Sequence, residues 1–301
     1  MSGLYRKGIG CLEPGRKPRG AAIRLFLTAI FVTALILCAK AWHDTMADPI
    51  VRTTDVKLSG LSPDAPQLRL LLVSDLHVAG PDMPPSRLLR IVRQANDLKA
   101  DIVLIAGDLI SDRKLATRKY SYREALAPLE FLTPRLSVVA VLGNHEHWRD
   151  AELAREELAR VGIIGVNNSA KMVGPLAIGG LDDDFTGHAD MRRTVSALRQ
   201  LTGTPIMLSH SPDPFPEMPR DIGLMLAGHT HCGQIQYPWG GSPATMSRFG
   251  ERYSCGRIDE NGQALVVTAG LGTSVLPFRF GAVPDMWLIT LKPARVASHS
   301  R

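Results

Sequence analysis

Six of the nine histidines in this 301-residue chain stand in short polar clusters, and each cluster directly follows an apolar run. Ser74-Asp75-Leu76-His77 follows the first run, Gly107-Asp108 the second and Gly143-Asn144-His145-Glu146-His147 the third. Ser209-His210 follows the fourth and Gly228-His229-Thr230-His231 the fifth, while His43, His188 and His299 lie elsewhere. Taken singly, an Asp after a strand is ordinarily a turn or cap residue, and a lone His is ordinarily packed or solvated. Five such clusters together are costly to bury without compensation, and bound cations are the natural compensation. Oxygen and imidazole donors without an essential thiolate suit Mn, Fe, Zn or Co better than Ca or a structural zinc site. The donors exceed the needs of one four-coordinate ion. Two divalent ions sharing a carboxylate, ~3.5 to 4 Å apart, are the usual device for phosphoryl hydrolysis.

Such a site needs elements that deliver distant residues to one place. The runs LRLLLVSD, ADIVLIAGD, LSVVAVLGN, PIMLSH, IGLMLAGH, ALVVTAGLG and DMWLITLK read as strands buried on both faces. Amphipathic segments at 85–98, 122–132, 150–161 and 189–201 read as helices between several of them. Alternation of this kind predicts an α/β layered sheet, whose strand carboxyl ends form the ligand-binding edge. Residues 234–262, rich in Gly, Pro, Ser and Arg, read as a long loop or lid.

The ordered set D-x-H, G-D, G-N-H-E, a late His and G-H-T-H, running from Asp75 to His231, resembles the calcineurin-like metallophosphoesterase superfamily. The resemblance implies a four-layer α/β/β/α sandwich with a dinuclear centre at one end of its sheets. Carried over by motif, Asp75, His77 and His231 would hold one metal, Asn144, His210 and His229 the other, and Asp108 would bridge them. A hydroxide between the metals would attack phosphorus, and His145 would protonate or stabilise the leaving group. Asn144 would also face the substrate. The tail GLGTSVLPFRFGAVPDMWLITL is similar to an exported or membrane-associated bacterial branch, sometimes grouped with UDP-2,3-diacylglucosamine hydrolases of lipid A biosynthesis. That branch commonly reads G-H-T-H-G-G-Q, whereas Cys232 here follows His231, which leaves open a disulfide with Cys255 or a redox-sensitive site. Ser74 and Ser209 have no evident activating base and read as hydrogen-bond partners rather than nucleophiles.

Three further sites carry two readings each. Arg279 is either a phosphate clamp or one half of a structural ion pair. Asp182-Asp183-Asp184 either shapes the rim of the site or forms a solvated turn, the commoner outcome. Trp148 and Trp239 either line an apolar groove or belong to the core.

The net charge of +6 resides in the first 40 residues, where seven cations oppose Glu13 alone. The remaining body is balanced, so no nucleic-acid-binding surface is expected. The uncharged stretch 25–39 follows, within the range of a signal-peptide core and short of the ~17 to 20 residues of a span, which is reached from Ala21 only by including Arg24, a residue able to snorkel. It is either an anchor or, with cleavage after Ala39-Lys40-Ala41, a signal peptide. Both place the body outside, on the periplasmic side of an inner membrane, because the cations precede the apolar run. No Arg-Arg pair precedes the core, and Leu37 argues against lipid attachment at Cys38.

The expected organisation is a leader at 1–48, one catalytic domain at 49–294 and a tail at 295–301. The expected activity is metal-dependent hydrolysis of a phosphodiester or pyrophosphate, on a lipid-linked substrate if the tether matters. A cytoplasmic lipid A precursor conflicts with the outward topology. The alternatives are a phosphomonoesterase, a nucleotide phosphodiesterase, or a noncatalytic scaffold, which the full ligand set opposes.

Overall fold

The structure is a computed structural model that describes residues 19–64 and 66–294. The basic residues before Arg19 and the expected tail at 295–301 lie outside the described residues. The chain divides into two compact units between Lys40 and Ala41.

A 28-residue helix, Arg19–Met46, carries the apolar segment. Within it Gly20–Met46, 27 residues that include Arg24, Lys40 and Asp44, meets the length and hydropathy of a span, ~40 Å at 1.5 Å per residue against a hydrocarbon core of ~30 Å. The helix is long and apolar enough to cross a membrane. The uncharged stretch underestimated its length because Ala21, Ala22 and Ile23 before it and Ala41 and Trp42 after it are also helical.

The second unit begins at Ala41, and hydrogen bonds tie its first residues to the rest of that unit. Asp44 and Thr45 are buried. Asp44 Oδ2 accepts from the Gly281 N–H at 3.0 Å, and Thr45 Oγ1 accepts from the Arg279 N–H at 2.6 Å. The Arg87 guanidinium donates to the carbonyls of Thr45 and Ala47 at 2.8 and 2.9 Å.

Two six-stranded sheets form the body. The first runs Ile50–Leu58, Asp285–Pro293, Leu68–Val73, Ile102–Ala106, Ser137–Val141, Ile164–Gly165. The second runs Gly256–Glu260, Gln263–Val267, Leu224–Ala227, Thr204–Leu208, Leu176–Gly180, Ser169–Val173. Side chains alternate faces along a strand. Leu70, Leu72, Ile102 and Leu104 of the first sheet therefore share one core with Ile206, Leu208, Leu224 and Leu226 of the second. The intervening Leu71, Val73, Val103 and Ile105 pack instead against Leu88, Ile91 and Val92 of the helix Pro85–Asp97. Met207, Met225 and Leu265 pack against Val195 and Leu198 of the helix Met191–Leu198. The result is the expected α/β/β/α layering.

Leu68–Val73, Ile102–Ala106 and Ser137–Val141 are parallel, as are Leu176–Gly180, Thr204–Leu208, Leu224–Ala227 and Gln263–Val267. Parallel strands end at a common edge, and each polar cluster lies just past such an end. The expected helix at 122–132 is α only over Tyr122–Leu126 and tightens to a 3-10 turn around Pro128, which has no N–H to continue the ladder. The expected loop at 234–262 contains a strand, Gly256–Glu260, which forms a hairpin with Gln263–Val267. Asn261 and Gly262, at φ 54° and 80°, supply its left-handed turn, and this Asn-Gly pair was the overlooked signal.

Candidate metal centre

Asp75, His77, Asp108, His229 and His231 all sit at positive φ, between 44° and 69°. Non-glycine residues adopt this region rarely, and functional sites concentrate such strain. It turns each side chain off the strand axis and back toward the sheet edge. The glycines beside them are fixed by contact distances. A Cβ on Gly107, itself at φ 81°, would stand 2.7 Å from the Gly143 nitrogen, and one on Gly143 would stand 2.3 Å from Asp108 Oδ1.

The turns bring all seven expected metal-binding residues together, each buried. Asp75 Oδ1 lies 3.4 Å from His231 Nε2 and 3.9 Å from His77 Nε2, and the two imidazole nitrogens are 3.0 Å apart. In the second group His210 Nε2 lies 3.1 Å from His229 Nδ1 and 3.1 Å from Asn144 Oδ1. Asp108 Oδ2 stands between the groups, 3.5 Å from His77 Nε2 and 3.3 Å from His210 Nε2. Asp75 Oδ1 is buried without a hydrogen-bond partner. Imidazole nitrogens facing one another cannot all act as donors, so lone pairs converge from both groups. Divalent cations fit this donor set, with Asp108 able to serve both positions.

The electrostatics divide the donor set: burial works to lower His210, but the Asp108 carboxylate outweighs it and holds that imidazole well above its ordinary range. Burial pushes His229 down to about 4 and holds His77 and His231 well below the ordinary imidazole range, which keeps them neutral for ligation. Burial also pushes Asp75 up to about 6. Burial works to raise Asp108 as well, but the imidazoles of His210 and His145 outweigh it and hold its carboxyl well below the usual range.

A surrounding layer of bonds orients these groups. The His210 ring nitrogen Nδ1 pairs with the Ala106 carbonyl at 2.7 Å, which directs Nε2 inward. Glu146 accepts from the N–H groups of Asp108, Leu109 and Gly143, each at 2.9 Å, and so ties two strand tips together. Ser74 donates to Asp75, and Ser209 donates to the Ser211 carbonyl at 2.7 Å, the partner roles expected of both. Cys232 and Cys255 form a disulfide with Cα atoms 4.8 Å apart, which pins the turn after His231.

Two expectations are corrected. Arg279 does not face a substrate: it is fully buried, and its guanidinium donates to the carbonyls of Ala269, Gly270, Gly272 and Ala282. Its Nη2 also lies 3.2 Å from His231 Nδ1, so it buttresses a metal-site residue. Asp182 and Asp183 are buried rather than solvated, with Asp182 Oδ1 2.7 Å from His147 Nε2. One close neighbour of His145 escaped the sequence reading: Asp112, whose Oδ1 lies 2.6 Å from His145 Nδ1 in an ionic contact without hydrogen-bond geometry. Its only sequence signal was its place four residues after Asp108.

His145 Nε2 points inward, 3.8 Å from Asp108 Oδ2. Above it opens a cavity of about 770 Å³. Asp108, Asn144, His145, His229 and His231 line its floor, and Leu115, Trp148, Ile235, Met246, Val275 and Leu276 its walls. Trp148 packs edge-on against His145, and Trp239 is 81% exposed, so neither belongs to the core.

Comparison with known proteins agrees with this geometry. A "Transmembrane protein with metallophosphoesterase domain" of Danio rerio is 31% identical over 91% of this chain, which spans 64% of that relative's length. An "Uncharacterized metallophosphoesterase YkuE" of Bacillus subtilis (strain 168) is 30% identical over 68% of this chain and 72% of its own. A 5'-nucleotidase precursor from Thermus thermophilus superposes with a TM-score of 0.44 at 13% identity, over 74% of this chain and 55% of that one. The model of the calcineurin-like phosphoesterase family matches residues 68–233, which span every polar strand tip from Asp75 to His231. The chain belongs to the calcineurin-like phosphoesterase family.

Proposed function

We propose that the protein hydrolyses a phosphodiester or pyrophosphate linkage in a lipid-linked substrate, on the outer side of the membrane that holds its N-terminal helix. One observation carries this reading: two donor groups that share Asp108 Oδ2 lie at the floor of a cavity with apolar walls. In the proposed arrangement Asp75, His77 and His231 would hold one divalent cation, Asn144, His210 and His229 would hold the other, and Asp108 would serve both. When bound, the pair supplies Lewis acidity toward the phosphoryl oxygens and makes water a nucleophile at neutral pH.

The protein's own side chains do the rest. His145 presents Nε2 at the cavity floor, where it donates a proton to the departing oxygen, and the Asp112 carboxylate stands beside Nδ1 on the other side of the ring. Leu115, Val275 and Leu276 accept the apolar part of the substrate and exclude water. The basic residues ahead of the apolar helix support an outward-facing body, and the Cys232–Cys255 disulfide fits an oxidising compartment.

The test is metal-loaded full-length protein assayed on bis-aryl phosphate, mono-aryl phosphate and lipid-linked phosphodiesters, with metal content measured alongside. Hydrolysis of diesters with preference for the lipid-linked ones is the expected result. Preference for mono-aryl phosphate or for soluble nucleotide esters overturns the substrate assignment. Metal-free protein without hydrolysis of any ester indicates a scaffold.

A further inference from the structure

We propose that the edge of the body bearing Trp42, Tyr237, Trp239 and Phe278 is a membrane-docking surface, seated in the headgroup and upper acyl region of a bilayer. The inference rests on the reading that the apolar helix enters that bilayer. It is independent of which ester is cleaved.

Chain connectivity fixes the first point. Lys40 closes the uncharged stretch, so the hydrocarbon core ends near it. Trp42 follows two helical residues later, a rise of ~3 Å, so it shares that depth wherever the body swings. The Trp42 ring meets Phe278 edge-on at 6.2 Å, and the bonds from Asp44 and Thr45 to Gly281 and Arg279 lock the segment around Phe278 to the helix foot.

Hydrogen bonds extend the surface. The Gln236 N–H donates to the Phe280 carbonyl at 2.7 Å, and the Phe280 N–H donates to the Gln234 carbonyl at 2.9 Å. Three residues beyond Gln236, Trp239 stacks on Tyr237 with ring centroids 5.3 Å apart, and it touches water over most of its area. Trp and Tyr are the side chains that favour the bilayer interface, where an apolar ring and a polar edge are both satisfied.

Charge points the same way. Residues 233–247 and 272–278 contain no Asp, Glu, Lys or Arg, although 21% of the chain is charged. These two uncharged loops also supply Ile235, Met246, Val275 and Leu276 to the cavity wall. Docking them on lipid would open the cavity toward the bilayer surface and let a headgroup phosphoester reach the metal centre while its tail stays in lipid.

The experiment uses the full chain with 5-fluorotryptophan, reconstituted in vesicles of phosphatidylethanolamine and phosphatidylglycerol that contain a lipid nitroxide-labelled near the headgroup. The four fluorine resonances, from Trp42, Trp148, Trp239 and Trp287, are assigned by single Trp→Phe substitutions. Trp287 lies in the core between the sheets and serves as the unbroadened reference. Docking predicts paramagnetic loss of signal at both Trp42 and Trp239. Loss at Trp42 alone means the helix is inserted while the body stands free, which overturns the proposal and leaves the anchor intact. Loss at neither shows that the helix is not in the bilayer, and the proposal falls with that reading.

Discussion

His145 Nδ1 lies 2.6 Å from Asp112 Oδ1, while Nε2 of the same ring faces the cavity floor and Asp108. The close carboxylate at one ring nitrogen leaves the other to face a reacting oxygen, the placement an acid catalyst requires. Replacement of the ring in His145→Ala should cost ~10²- to 10⁴-fold in kcat with a poor, alkoxide leaving group. Asp112→Asn should cost less, ~10-fold or more, on the same substrate. Both losses should shrink with p-nitrophenolate, which departs without a proton, and metal content should not change. Equal losses on both kinds of ester, or loss of metal, would place His145 among the ligands instead.

Asp108 lies within reach of both donor groups, 3.5 Å from His77 and 3.3 Å from His210. Asp108→Asn keeps the shape and the Oδ1 acceptor for the His145 N–H but removes the charge that two cations would share. Turnover should be abolished and metal occupancy lowered, while far-ultraviolet circular dichroism stays at wild type. Wild-type activity in this variant would sink the bridging assignment.

The sequence carried these two residues unequally, and the reason is physical. Asp108 follows an unbroken run of β-branched and leucine residues whose end a reader can locate, so its arrival at the sheet edge was legible, as was that of the other six metal-site residues. Asp112 lies in the irregular stretch beyond, where no periodicity fixes direction and only folded coordinates bring its oxygen to His145. Arg279 was misread for a related cause. A phosphate clamp and a buttress for backbone carbonyls use the same guanidinium, and only burial separates them. The strand Gly256–Glu260 escaped notice because its alternating, half-exposed edge lacks the apolar run that marked the inner strands.

Cys232 adjoins His231, and its disulfide to Cys255 closes a 23-residue separation. Cross-linking a loop of that size contributes about 3 kcal/mol in the chain-entropy picture. The double variant Cys232→Ser/Cys255→Ser should therefore unfold at a lower temperature and bind metal more weakly, since the turn that presents His231 loses its tie. Thermal unfolding read with and without reductant checks this. An unchanged transition in the wild type after reduction, with the thiols shown free by alkylation, would refute the stabilising role.

Arg279 offers the sharpest contrast between a substrate contact and a structural one. Its buried guanidinium donates to four carbonyls and reaches His231 Nδ1, so Arg279→Lys should strand acceptors that a single ammonium cannot satisfy. Each lost charged hydrogen bond costs about 1.5–3 kcal/mol, and the loop that meets the helix foot shares the loss through the Arg279 N–H to Thr45. The expected signature is a lowered unfolding temperature and a weakened metal site, with KM for ester measured at saturating metal close to wild type. A clamp would produce the reverse, a raised KM at unchanged stability and metal content. Kinetics at saturating metal, set beside calorimetry of the same preparation, would therefore show which work the buried guanidinium performs.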